Sequence, residues 1–108
     1  CEVAIKPGQP MGDVFTAHAR VLDKAGLVHA RLNACGYAMG ATYNPIWVDF
    51  PMFYEGNATL MHERQVFFLH MILMDSNSGH AMCLGHSVEV IASGAKRLSR
   101  HPPDLFEL

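Results

Sequence analysis

A chain of 108 residues, half of them apolar and 17% charged, has room for one hydrophobic core but not two, and its composition excludes an intrinsically disordered protein. A formal net charge of −2 with no long basic run argues against a nucleic-acid surface, and no apolar run approaches the roughly 20 residues of a membrane span. Cys1, Cys35 and Cys83 are odd in number and lack CxxC spacing, which argues against a disulfide framework and for a reducing, cytoplasmic compartment.

Cys1 is not an initiating residue, so further sequence is expected ahead of it. Residues 1–12, with Pro7-Gly8 and Pro10, read as an irregular lead-in to a single domain spanning 1–108. Residues 14–22 predict a first strand, with Phe15, Ala17, Ala19 and Val21 on one face and Thr16, His18 and Arg20 on the other. The following Asp23-Lys24-Ala25-Gly26 admits two readings. Val28, Leu32, Cys35 and Met39 recur at helical spacing, among small residues (Ala25, Ala30, Ala34, Gly36, Ala38, Gly40, Ala41) that permit close approach to a sheet. The same stretch also alternates, Val28, Ala30, Leu32 and Ala34 against His29, Arg31 and Asn33, which would make 23–26 a hairpin turn. The helix is the preferred reading. Under it, Asp23 and the first helical amides share one small space, a candidate reaction centre; under the other, Asp23 is an ordinary turn residue.

Tyr43-Asn44-Pro45 breaks whatever precedes it, residues 46–50 predict a short strand stopped by Pro51, and 52–59 are turn-rich around Glu55-Gly56-Asn57. The most pronounced pair follows. Residues 64–74 are almost continuously apolar, Asp75-Ser76-Asn77-Ser78-Gly79 makes a turn, and 80–91 return as the partner strand. Residues 95–108 read as a basic tail containing Pro102 and Pro103. An internal echo, Val14-Phe15…His18…Asp23…Gly26 against Val66-Phe67…His70…Asp75…Gly79, supports the hairpin alternative.

Two blocks carry a family resemblance. Asp23-Lys24-Ala25-Gly26-Leu27-Val28 resembles the catalytic loop that leads into the central helix of the hot-dog acyl-CoA thioesterases, those of the 4-hydroxybenzoyl-CoA thioesterase type. The second block runs over 66–105; it includes Gly79-His80-Ala81-Met82-Cys83-Leu84-Gly85-His86 and ends on Lys96-Arg97-Leu98…Pro102-Pro103-Asp104-Leu105, similar to that family's closing tail. The resemblance implies an α+β, hot-dog-like fold: a curved antiparallel sheet wrapped around one central helix. It also implies hydrolysis of an acyl-CoA or related thioester by a homodimer or homotetramer, with no cofactor beyond the coenzyme A of the substrate, no nucleic acid and no membrane. Asp23 is then the general base or nucleophile.

Thioester hydrolysis needs donors for the oxyanion that forms on attack, and a helix N-terminus has amides without intrahelical partners. Amides near Gly26 and Val28 would fill that role, and Gly26 has no side chain to block substrate. His29 would orient substrate or share proton work, Asn33 would meet the carbonyl, and Lys96, Arg97 and Arg100 would hold the phosphates of coenzyme A.

The histidines carry a rival hypothesis. His80 and His86 face the same way on a strand, as do His62 and His70 if one strand carries both. With Glu63 or Glu89 they are a candidate donor set for zinc, iron or nickel in a small mostly-β barrel of two hairpins. A third reading is a non-catalytic module that binds an apolar ligand, with methionines 39, 52, 61, 71, 74 and 82 as a pliant wall.

Overall fold

The computed structural model describes residues 1–40, 45–46, 48–102 and 104. Helix α1 (Met11–Lys24) precedes five strands: β1 (Ala34–Ala38), β2 (Asp49–Tyr54), β3 (Val66–Asp75), β4 (His80–Ile91) and β5 (Gly94–Arg97). The strands make one antiparallel sheet in the order β2-β1-β3-β4-β5, open at β2 and β5. Among the described residues no helix is long and apolar enough to cross a membrane.

The first strand expected at 14–22 is instead the body of α1. Met11, Val14, Phe15 and His18 are buried, an i, i+3, i+4, i+7 stripe that only a helix places on one face. Of the face expected for that strand, Phe15 is buried and Ala19 packs against the core, but Val21 is 65% exposed, so the alternation does not define a buried side. At its start, the Met11 and Gly12 amides donate to the carbonyls of Thr59 and Asn57, each at 2.9 Å, so the helix opens against the loop before β3. At its end, Gly26 takes φ +78°, its amide donates to Asp23 O at 3.0 Å, and Leu27 N donates to Leu22 O at 2.9 Å. That pair of bonds is a Schellman cap, which a glycine in the left-handed region closes.

A helix therefore ends where one was expected to begin. Val28 and Leu32, the start of the expected buried stripe, are 57% and 38% exposed, and the chain passes through turns into β1. Residue 41, the last of that expected helix, lies outside the described residues, as do Tyr43 and Asn44. The hot-dog architecture is corrected accordingly: α1 comes before every strand and packs on one face of the sheet, and nothing wraps around a helix at 27–40. The two-hairpin barrel is corrected too, because the sheet is open. Its supporting echo joins a helix to a strand and marks no structural repeat.

β2 runs through Pro51 rather than stopping there, since an edge strand tolerates a residue with no N–H to donate. The β3–β4 hairpin forms where the turn chemistry places it. Its ladder runs from Asp75↔His80 to Val66↔Glu89, and Asp75 accepts hydrogen bonds from the Asn77 amide (2.9 Å) and the Ser78 hydroxyl (2.7 Å). Past a turn, Lys96 and Arg97 belong to β5, not to a tail. The core lies between α1, the 3-10 turn Glu2–Ala4 and one face of the sheet; Phe53 and Phe67, both fully buried, stack there with ring centroids 4.7 Å apart.

Candidate functional site

Pairing assigns the side chains of the sheet to its two faces. Phe67, Leu69, Val88 and Val90 go to the α1 side and are buried. Phe68, His70 and Ile72 go to the other side, with Tyr37 opposite Phe68 and Gly85 opposite His70. There a cleft of about 470 Å³ is lined by residues that include Asn33, Tyr37, Met52, Tyr54, His70 and Ile72. Tyr37 is buried, and its ring meets the edge of His70 at 5.9 Å and that of Phe68 at 5.7 Å. His70 Nε2 lies 3.1 Å from Cys83 Sγ, and Phe68 closes on His70 at 5.2 Å. A Cβ at Gly85 would overlap the Phe68 ring, so the glycine is what lets that ring lie against β4.

The residues expected for thioester chemistry do not come together. Asp23 sits in the last turn of α1, where Arg31 donates to it through Nε (2.6 Å) and Nη2 (3.2 Å). Those hydrogen bonds hold its carboxyl below the usual carboxylate range. Gly26 caps the helix and Val28 is exposed. His29 reaches the hairpin turn, its Nε2 3.2 Å from Asp75 Oδ1. Lys96 pairs with Glu89 at 3.8 Å, Arg97 donates to Glu2 at 2.8 Å, and Arg100 is exposed. Asn33 alone of this set lines the cleft.

The four histidines of the rival reading do not converge either. His62 and His80 are exposed. His70 faces the cleft, whereas His86, one residue from its partner Gly85, is buried on the α1 side and hydrogen-bonded to Glu2 Oε1. Burial alone would raise the Glu2 carboxyl; hydrogen bonds from Arg97 and His86 outweigh it and hold the group low.

The sequence matches no family model and none of the curated proteins. The fold is similar to that of the dipeptidase PepE from Mycobacterium ulcerans: TM-score 0.83 and 22% identity over 94% of this chain and 26% of that one. The X-Pro aminopeptidase from Thermotoga maritima gives TM-score 0.85 at 14% identity, over 97% of this chain and 28% of that one. The prolidase from Pyrococcus horikoshii gives 0.83 at 14% identity, over 95% and 28%. The chain has part of the pita-bread fold. It spans little more than a quarter of the length of these three enzymes.

These neighbours overturn the thioesterase resemblance, and with it the acyl-CoA substrate: the three structures named are of peptidases. The expectation of no cofactor beyond coenzyme A is corrected as well, and a metal ion becomes the cofactor to test.

The described residues answer that test differently on the two faces. A two-metal hydrolytic centre calls for bridging oxygen ligands, and the cleft is lined by one imidazole and no carboxylate. The cleft residues of this chain do not fit such a centre. On the α1 side, Cys1, His18 and Cys35 do bring three ligand atoms within 4.8 Å of one another, the one such group among the described residues. Sequence reasoning missed it because each ligand lies 17 positions from the next and no local motif links them.

Proposed function

We propose that this chain forms part of a hydrolase acting on the amide bond of a peptide or peptide-like substrate, with the cleft beside His70 receiving an apolar group next to the scissile carbonyl. The observation that carries this reading is a fold shared over 94–97% of the chain with three peptidases, bearing an imidazole in a largely apolar cleft. The bond between His70 Nε2 and Cys83 occupies one ring nitrogen. In the tautomer whose Nε2–H donates to Cys83 Sγ, Nδ1 keeps the free lone pair and is the atom that takes a proton from an attacking water and returns it to the departing amine. Tyr37 and Phe68, packed against the ring, restrict its rotation. Met52 and Ile72 exclude bulk water from the bound carbonyl. A reducing, cytoplasmic setting belongs to this reading and is supported by three free cysteines.

The test is turnover of a dipeptide panel, including X-Pro peptides, by the full-length protein. His70→Gln is expected to lower kcat by about 10²–10⁴-fold with an unchanged thermal midpoint. Wild-type turnover in the variant removes His70 from the mechanism. A folded full-length protein that cleaves no amide in the panel overturns the reading.

A further inference from the structure

We propose that Cys1, His18 and Cys35 form a binding site for one thiophilic closed-shell cation, Zn²⁺ or Cu⁺. This site is independent of the cleft and of the hydrolase reading, because it lies across the sheet from His70. His18 projects from α1 into the core with 4% of its surface exposed. Its Nε2 is buried and has no hydrogen-bond partner. Native interiors seldom leave such an atom unsatisfied.

The neighbours of that imidazole explain what it serves. One sulfur comes from Cys35, fully buried on β1, and another from Cys1, half-buried at the start of the described chain; with a ring nitrogen of His18 they lie mutually within 4.8 Å. Two sulfurs and one imidazole nitrogen are a soft donor set, which selects zinc or cuprous ion over magnesium, calcium or manganese. Three elements meet to supply it: the segment before the 3-10 turn, the third turn of α1, and the first strand. An ion there would tie helix to sheet.

The site also has an access route. A cavity of about 270 Å³ borders Cys1 and His18, and its other walls include Met71, Leu73, Met82 and Leu84. Three protein ligands leave a further coordination position for a small molecule, and the methionine-rich cavity offers that space an apolar, sulfur-bearing wall. Arg31 does not compete for the site, since its guanidinium is engaged by Asp23 and stacked over Phe15 at 5.5 Å from the ring centroid.

The experiment uses full-length, fully reduced, metal-free protein, titrated anaerobically with Zn²⁺ in one arm and Cu⁺ in the other, each against a competing chelator. One equivalent per chain is expected for at least one ion, and the stronger arm names the metal. Co²⁺ binding should give thiolate-to-cobalt charge-transfer absorption. The bound ion should slow alkylation of half-buried Cys1 relative to the metal-free protein while Cys83 still reacts; this arm needs no variant. Cys83→Ser is expected to retain the ion, and His18→Gln and Cys1→Ser to weaken it by more than about tenfold with the far-ultraviolet circular dichroism unchanged. Absence of stoichiometric binding in both arms overturns the site. So do cobalt binding without charge transfer, loss of the ion in Cys83→Ser, and alkylation of Cys1 at its metal-free rate in the presence of saturating metal.

Discussion

Arg31 holds Asp23 through two parallel hydrogen bonds, Nε to Oδ1 at 2.6 Å and Nη2 to Oδ2 at 3.2 Å, across the loop that leaves α1. The contact ties the last turn of the helix to the approach to β1, and it explains why this carboxylate is structural. Its hydrogen bonds with Arg31 lower its pKa in the folded state. The stabilisation is therefore complete above the unfolded value near 4 and is lost as pH falls through the lower folded value. Thermal midpoints measured between pH 7 and pH 2 should show Asp23→Asn less stable than wild type at neutrality and converging with it in acid. Peptide turnover in the same variant should match wild type.

Gly26→Ala isolates backbone strain. A Cβ there meets nothing within 4 Å, yet φ is +78°. The left-handed conformation costs an L-residue about 1–2 kcal/mol, and urea unfolding should report a loss of that size. Gly26→Asn should lose less, because asparagine visits this region more readily.

Phe67→Ala tests the core. The ring is fully buried against Phe53, and truncation of such a side chain costs about 3–5 kcal/mol through lost transfer energy and the cavity left behind. A shift in urea midpoint corresponding to less than about 1 kcal/mol would mean that Phe67 is not a core residue.

Gly85→Ala should act on the cleft through Phe68. The added methyl overlaps the Phe68 ring and approaches Leu69 O to 3.0 Å. Displacing that ring removes one of the aromatic contacts on His70. Turnover should fall while substrate affinity is less affected, and kcat measured apart from KM separates this from general loss of fold.

Thiol reactivity should divide the cysteines of the metal-free protein. Burial pushes the Cys35 thiol up to about 12, whereas Cys83 is exposed on β4. Thiolate is the reactive form, so timed alkylation near pH 8 should label Cys83 well before Cys35, and Cys35 should react only at the rate at which the protein opens.

The β3–β4 hairpin was legible in the residues themselves. The apolar run fits an interior strand, paired on both edges with β1 and β4 although α1 covers only one of its faces, and the turn signals from Asp75 to Gly79 act locally. The stripe of α1 was present as well, in Met11, Val14, Phe15 and His18, but Ala17, Ala19 and Val21 imitate a strand because small residues fit either period. Gly26 marks a helix boundary, and its sequence context does not say whether the helix opens or closes there. That choice lay with the tertiary partners: Asn57 and Thr59 receive the amides at the start of α1, and Arg31 holds its last turn.

Composition and local chemistry by themselves determined an apolar core and a central hairpin. Which ionisable groups meet was decided by strand register and by helix placement. His70 and His86 look alike in the sequence, but the pairing of His70 with Gly85 sends them to opposite faces. Cys1, His18 and Cys35 are strangers in the sequence, and they converge only because a turn, a helix and a strand share one core. Short-range preferences act over a few residues, whereas a site is a meeting of residues far apart in the chain, and packing alone arranges it.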